Sequence, residues 1–115
     1  MRNQIEWLKD ILDAIIQIEK YAAKGETEYF QNELIQKWMV YHLQIIGEAA
    51  NRISADINER FTKIPWAQIV GLRNIIVHEY FGVDVEEIWN TIIHDIPKLK
   101  TEIEQIILSL NIKRP

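Results

Sequence analysis

The apolar residues of this chain recur at intervals of three and four, and no segment of useful length alternates apolar and polar residues. Spacing of three and four places side chains on one face of an α-helix, whereas a half-buried strand requires alternation. Glycine (4) and proline (3) are scarce, so few positions interrupt these patterns. The sequence therefore predicts an all-α fold, with residues 1–115 forming one domain, an antiparallel bundle of four or five helices.

Two helices are predicted in the first half of the chain. The first runs from about Ile5 to near residue 24, where Gly25 favours a stop. Residues 27–31 are compatible with either one helical turn or a loop. The second and longest helix begins at Asn32, a good N-cap, and runs to about Ile53. Its inner stripe is predicted to be Leu34, Trp38, Tyr41, Ile45, Ala49 and Ile53.

The second half begins with a short turn that Ser54 can cap and that ends near Arg60. Pro65 disfavours helix at the residue before it but suits the first turn of a new helix, which is predicted to extend to about Tyr80. Gly71 lies inside that helix and lowers its stability by about 1 kcal/mol relative to alanine. A close helix crossing or a local bend is therefore expected at Gly71.

The final part of the chain is predicted to form a helix with an interruption. Asp84, with Glu87 three residues later, has the spacing of a capping box. Pro97 is expected to kink or restart the helix, with Asp95 as its candidate cap.

The composition narrows the possible functions. With no cysteine there are no disulfides, thiolate nucleophiles or zinc–thiolate sites. The sequence has no run of about 18 apolar residues, so no transmembrane span is predicted. The first residues lack the apolar centre of a signal peptide. A cytoplasmic location is therefore expected. The net charge of −4 and pI of about 5.4 give no general basic footprint. Acting on nucleic acid would therefore require a local basic patch or a brief encounter.

Polar residues with distinct chemistry cluster in residues 73–80. At about 100° per residue of α-helix, Arg73, Asn74, His78 and Tyr80 share a broad arc opposite apolar residues. A histidine exchanges protons near neutral pH, and an arginine binds phosphate through a planar fork of donors. These are the two requirements of RNA transesterification, and neither requires a metal.

A structural interpretation of the same residues also exists. Arg73 would then pair with Glu48 or Glu79, while His78 would bond a carbonyl inside the bundle. Tyr80 would be an aromatic residue at the core or its rim.

A second cluster lies on the long helix, where Gly47 and two alanines permit close helix approach. Glu48, Asn51 and Arg52 are then polar groups near a crossing point, although a solvated or salt-bridged face is the favoured interpretation for each residue alone. The isolated His42 and His94 are expected to be structural. Neither has the partner spacing of a metal site, so no metal or cofactor is predicted. Trp7, Trp38, Trp66 and Trp89 are interpreted as core or interface residues.

The pattern Arg73-Asn74-x-x-x-His78-x-Tyr80-Phe81 resembles the signature of the HepT-like toxins of the HEPN superfamily. The likeness extends over nearly the whole chain. It includes residues 8–15, 46–50, 64–66, 71–74, 81–84, Trp89 and 95–100.

This resemblance implies a homodimeric, all-α ribonuclease in which two copies of the motif form one composite, metal-independent site. Arg73 would bind the scissile phosphate, and His78 would act as general acid and base. The family is typically paired with a minimal nucleotidyltransferase antitoxin, which in some members adenylylates the motif tyrosine, here Tyr80. Two alternatives remain open: a module that binds a nucleotide or docks the nucleotidyltransferase partner without cleaving RNA, and a purely structural helical dimer.

Overall fold

The computed structural model describes residues 3–74 and 84–112. In chain order the helices are α1 (Gln4–Ala22), α2 (Glu26–Gln31), α3 (Glu33–Ala50), α4 (Ala55–Arg60), α5 (Trp66–Gly71), α6 (Val85–Asn90) and α7 (Ile96–Ile112), with a π-helical turn (Thr91–Asp95) joining the last two. These ranges contain no strand. The all-α prediction is confirmed, and residues 27–31 form a helical turn within α2.

The predicted helix caps are confirmed at three positions. The Asn32 side chain accepts hydrogen bonds from the backbone N–H groups of Leu34 and Ile35 at the start of α3. Ser54 accepts from an N–H of α4, and Asp84 accepts from two N–H groups of α6. Each cap satisfies donors that the first helical turn leaves without a partner.

Helices α1 and α3 pack antiparallel. Near the end of α1, the Gln17 carbonyl accepts a 2.8 Å hydrogen bond from Trp38 Nε1, close to the start of α3. At the start of α1, Gln4 Oε1 accepts a 2.6 Å bond from the Ser54 amide, and Gln4 Nε2 donates to the Arg52 carbonyl at 3.4 Å. Opposite ends of the two helices are therefore in contact, and α7 packs on the same α1.

The predicted inner stripe of α3 is wrong in part. Leu34 is 78% exposed and Tyr41 is 56% exposed, although Ala49 and Ile53 are buried as expected. The core is instead formed by residues one or two positions further along, Ile35, Met39, Leu43 and Ile46. Two neighbouring apolar stripes of α3 both have helical spacing, and packing against α1 and α5 selects the second.

Two predicted helix ends also need correction. The helix α3 ends at Ala50, with Asn51 as its C-cap, rather than near Ile53. The helix α5 begins at Trp66 and ends at Gly71, and residues 72–74 form a 3₁₀ turn. A 3₁₀ turn has about 3.0 residues per turn, so the α-helical arc drawn through Arg73 does not hold from residue 72. The rest of that predicted helix lies outside the described residues.

Residues 85–112 form one continuous rod, the C-terminal rod, made of α6, the π turn and α7. Pro97 does not break it, and Asp95 is not a cap because it lies inside the π turn. The Ile96 N–H donates to the Thr91 carbonyl, five residues back. Proline has no N–H to donate, and its ring crowds the carbonyl four residues earlier in an α-helix. The wider π turn directly before Pro97 accounts for its position in the rod.

Tyr29 of α2 connects to the start of the C-terminal rod. Its phenol is fully buried and donates a 2.8 Å hydrogen bond to the Val85 carbonyl, while its ring stacks on Trp89 with centroids 4.8 Å apart. Burial, and secondarily the charge of Asp84, raises the pKa of Tyr29 to about 12. Tyr29 therefore fixes the first residue of α6 to the core.

We expect Tyr29→Phe to lower the free energy of unfolding by about 1 kcal/mol, because the Val85 carbonyl loses its donor. The raised pKa adds stability that is complete below pH 10 and is lost as pH rises toward about 12. The difference between wild type and Tyr29→Phe in urea unfolding should therefore shrink across that interval. Tyr41→Phe, at an exposed position, is the control and should show neither effect. An unchanged difference at alkaline pH would contradict the assignment.

Candidate active site

Gly47 of α3 packs directly against the backbone at the end of α5. A Cβ placed on Gly47 would lie 3.0 Å from the Ile69 carbonyl oxygen, 3.1 Å from the Leu72 carbonyl carbon, and closer still to the Arg73 amide nitrogen. We call this approach the Gly47 contact. Every atom involved on the α5 side belongs to the backbone. Glycine is therefore required at position 47, and the predicted close helix approach is confirmed there.

The other predicted crossing position, Gly71, has no such contact. Within the described part of the chain, no atom outside its own helix and chain neighbours lies within 4 Å of a Cβ built on it. Its role is instead at the end of α5, where the α-helix changes to the 3₁₀ turn. The close crossing predicted at Gly71 is therefore not found among the described residues, and the local bend stays a prediction.

Arg73 lies in the 3₁₀ turn, is the last of the residues that contact Gly47, and is half-buried, while Asn74 is exposed. Among residues 3–74 and 84–112, no carboxylate forms an ion pair with Arg73. The candidate His78, the candidate modification site Tyr80 and Glu79 lie outside the described residues. The described part of the site is thus a fixed cation on a backbone that packs against α3.

Glu48 pairs with Arg52, and not with Arg73 as the structural interpretation allowed. Glu48 Oε1 lies 3.6 Å from Arg52 Nη2, with both side chains about half exposed. The Arg52 guanidinium also lies 5.7 Å from the centre of the Trp7 ring. Asn51 is exposed and donates its N–H to the Gly47 carbonyl as the C-cap of α3. The structure therefore brings Gly47 and Arg73 together, but records no side-chain bond between this cluster and Arg73.

The two described histidines have separate surroundings. His42 is buried, and its Nδ1 lies 2.8 Å from the Trp38 carbonyl, which agrees with a structural role. His94 is exposed in the π turn. Within the described ranges, no three His, Cys, Asp or Glu side chains are grouped as metal ligands, and no helix has the length and apolar character needed to cross a membrane.

A groove of about 650 Å³ separates α5 from the C-terminal rod and was not foreseen from the sequence. Its apolar lining includes Ile69 and Leu72, which also take part in the Gly47 contact. Its rim mixes two lysines with three carboxylates, formed by Lys63, Lys98, Glu87, Asp95 and Glu102. This rim does not supply a basic patch for nucleic acid.

The architecture is that of a small helical bundle that holds an arginine at the end of a short helix. The family described as "Ribonuclease HepT-like" matches residues 11–106, and the chain belongs to that family. "Putative RNase MJ1380" of Methanocaldococcus jannaschii is 37% identical over 90% of this chain and 95% of its own length. "Probable ribonuclease HepT" of Thermococcus cleftensis is 36% identical over 91% of this chain and 96% of its own length. No solved structure gives a significant match.

We expect Glu48→Gln to change the free energy of unfolding by no more than about 0.5 kcal/mol, because an exposed pair within one helix contributes little. Arg52→Gln should change the free energy of unfolding by a similarly small amount, apart from the loss of its packing on Trp7. Urea unfolding of both variants and of the double variant measures the pair's coupling. A loss of more than about 1.5 kcal/mol in the free energy of unfolding of Glu48→Gln would show that this carboxylate contributes more than an exposed ion pair does.

Proposed function

We propose that this chain is a metal-independent endoribonuclease that cleaves RNA by attack of a 2′-hydroxyl on the adjacent phosphorus. The observation that carries the proposal is the match of residues 11–106 to the HepT-like family, in a chain whose Arg73, Asn74, His78 and Tyr80 resemble the family's motif. The half-buried Arg73, without a carboxylate partner among the described residues, supports a role in binding an anion. The cytoplasm is the proposed location.

The proposed chemistry needs only two side chains. A neutral imidazole removes the 2′-hydroxyl proton, and the resulting oxygen attacks phosphorus to form a 2′,3′-cyclic phosphate. The bond from phosphorus to the 5′-oxygen breaks, and that oxygen takes a proton from an imidazolium. Arg73 neutralises the charge that accumulates on the phosphoryl oxygens. We propose that the exposed Asn74 contacts the same substrate and that Glu48, at the end of α3, and Asn51 and Arg52, just after it, are supporting residues.

We further propose that the site is completed by a second copy of the chain. One reaction uses a base at the 2′-oxygen and an acid at the 5′-oxygen, and each chain supplies one motif histidine, His78. Two chains would supply both groups. A bell-shaped dependence of kcat/KM on pH is the expected signature of such a pair.

The proposed biological setting is a toxin–antitoxin pair with a minimal nucleotidyltransferase. The partner would transfer AMP from ATP to the Tyr80 hydroxyl, forming a phosphodiester bond and releasing pyrophosphate. An anionic adduct near Arg73 would compete with the RNA phosphate for the same cation, which explains inhibition electrostatically.

A second candidate is a non-catalytic module that binds a nucleotide or docks the nucleotidyltransferase. The net charge of −4 favours it, because acidic proteins have little general affinity for RNA. In that case Arg73→Ala would abolish nucleotide binding, and the wild-type chain would never cut RNA.

Unmodified protein should cleave single-stranded RNA in the presence of EDTA and leave 2′,3′-cyclic phosphate ends. Removing a phosphate-stabilising group should lower kcat/KM by about 100- to 1,000-fold in Arg73→Ala. Removing the proton-transfer group should lower it by about 100- to 10,000-fold in His78→Ala. The matched controls are Arg60→Ala and His94→Ala, both at exposed positions. Full ribonuclease activity of His78→Ala would contradict the proposed mechanism.

Intact mass spectrometry after co-expression with a neighbouring nucleotidyltransferase should show the addition of AMP. Tyr80→Phe should remove the addition, whereas Tyr41→Phe, which alters another exposed tyrosine, should retain it. Modified protein should have lost its ribonuclease activity. AMP found on another residue, or a modified protein that cuts RNA normally, would contradict the proposed control by Tyr80.

A further inference from the structure

The Gly47 contact determines the position of the backbone that carries Arg73. We propose that Gly47 is a positioning residue for the ribonuclease reaction: its missing side chain sets where the Arg73 guanidinium meets the scissile phosphate. This inference rests on the proposed function, since it gives Gly47 a role through Arg73.

The first step of the argument is the nature of the atoms that a side chain at position 47 would meet. They are the Ile69 carbonyl oxygen, the Leu72 carbonyl carbon and the Arg73 amide nitrogen. A flexible side chain could rotate away from an added methyl group, but backbone atoms move only with their segment. Because one of these atoms belongs to Arg73 itself, the displacement passes directly to the residue that binds phosphate.

The second step is which of the two helices would move. The helix α3 is an 18-residue helix whose Ile46, Ala49 and Ala50 are buried beside Gly47. The helix α5 has only six residues, and it borders the open groove next to the C-terminal rod. A short helix of this kind depends on tertiary packing for its stability. The end of α5 and the following 3₁₀ turn therefore move, while α3 stays in place.

The third step is the effect of that movement on the reaction. A Cβ in ordinary contact needs at least 3.4 Å, so all three distances to position 47 must increase. A displacement of about 1 Å at a reacting group lowers the rate by about 100-fold. Gly47→Ala should therefore lower the rate of RNA cleavage by about 100-fold, although residue 47 itself contacts no substrate.

The test compares Gly47→Ala with Gly71→Ala. Both variants add one methyl group to a helical glycine, and Gly71 is the closer to Arg73 in sequence. Among residues 3–74 and 84–112, and apart from each glycine's own helix and chain neighbours, Gly47 has backbone within 4 Å of an added Cβ and Gly71 does not. We expect kcat/KM for RNA cleavage to fall about 100-fold in Gly47→Ala and to remain at the wild-type value in Gly71→Ala. Ile18→Val, a fully buried position on α1, controls for lost stability alone and should retain activity while folded.

A double-variant cycle separates positioning from a general structural effect. If Gly47 acts through Arg73, the double variant Gly47→Ala/Arg73→Ala should be no less active than Arg73→Ala, because the side chain being positioned is already absent. Multiplied losses would overturn the inference. So would wild-type activity of Gly47→Ala, or a Gly47→Ala chain that does not fold even in a stabilising osmolyte, since Gly47 would then determine the fold. Wild-type activity of Arg73→Ala would instead refute the proposed function itself.

Discussion

The arrangement of the candidate site depends on the contact between the Gly47 Cα and the backbone of residues 69–73. An isolated helix of six residues is not stable in water, so α5 keeps its form by packing on the rest of the chain. Packing of backbone on backbone leaves no rotamer to choose and therefore gives little positional variation. The position of the Arg73 backbone follows from this contact.

A second contact fixes the position of Val85, which follows residues 75–83 in the chain. Val85, the first residue of α6, receives the buried Tyr29 phenol, and Trp89 stacks on the same ring. Arg73 precedes this segment and Val85 follows it. The two residues are thus held by independent parts of the core, the first by α3 and the second by α2. The motif histidine and tyrosine belong to a segment whose flanking residues both have defined positions.

The sequence was sufficient for the fold class and for most helix starts, because caps such as Asn32, Ser54 and Asp84 depend on local hydrogen bonds. It was insufficient for the inner face of α3. Two adjacent apolar stripes fit the helical period there, and only tertiary contacts distinguish Leu34 from Ile35. For the site, Gly47 indicated a close helix approach. Its partner, the backbone at Arg73, lies far along the chain and could be identified only from the structure. The pairing of Glu48 with Arg52 was equally open until the distance was known.

The π turn keeps the two halves of the C-terminal rod in phase with each other. Ile88, Ile92 and Ile96 are buried and follow one another in steps of four, which in a regular α-helix would drift by about 80° around the axis. Wider winding between Thr91 and Asp95 compensates for this drift and returns both halves to the same core. The turn is equivalent to the insertion of one residue into an α-helix. Deleting a residue there would rotate Val85 and the beginning of α6, so a change distant in sequence from the motif would reorient the chain next to it.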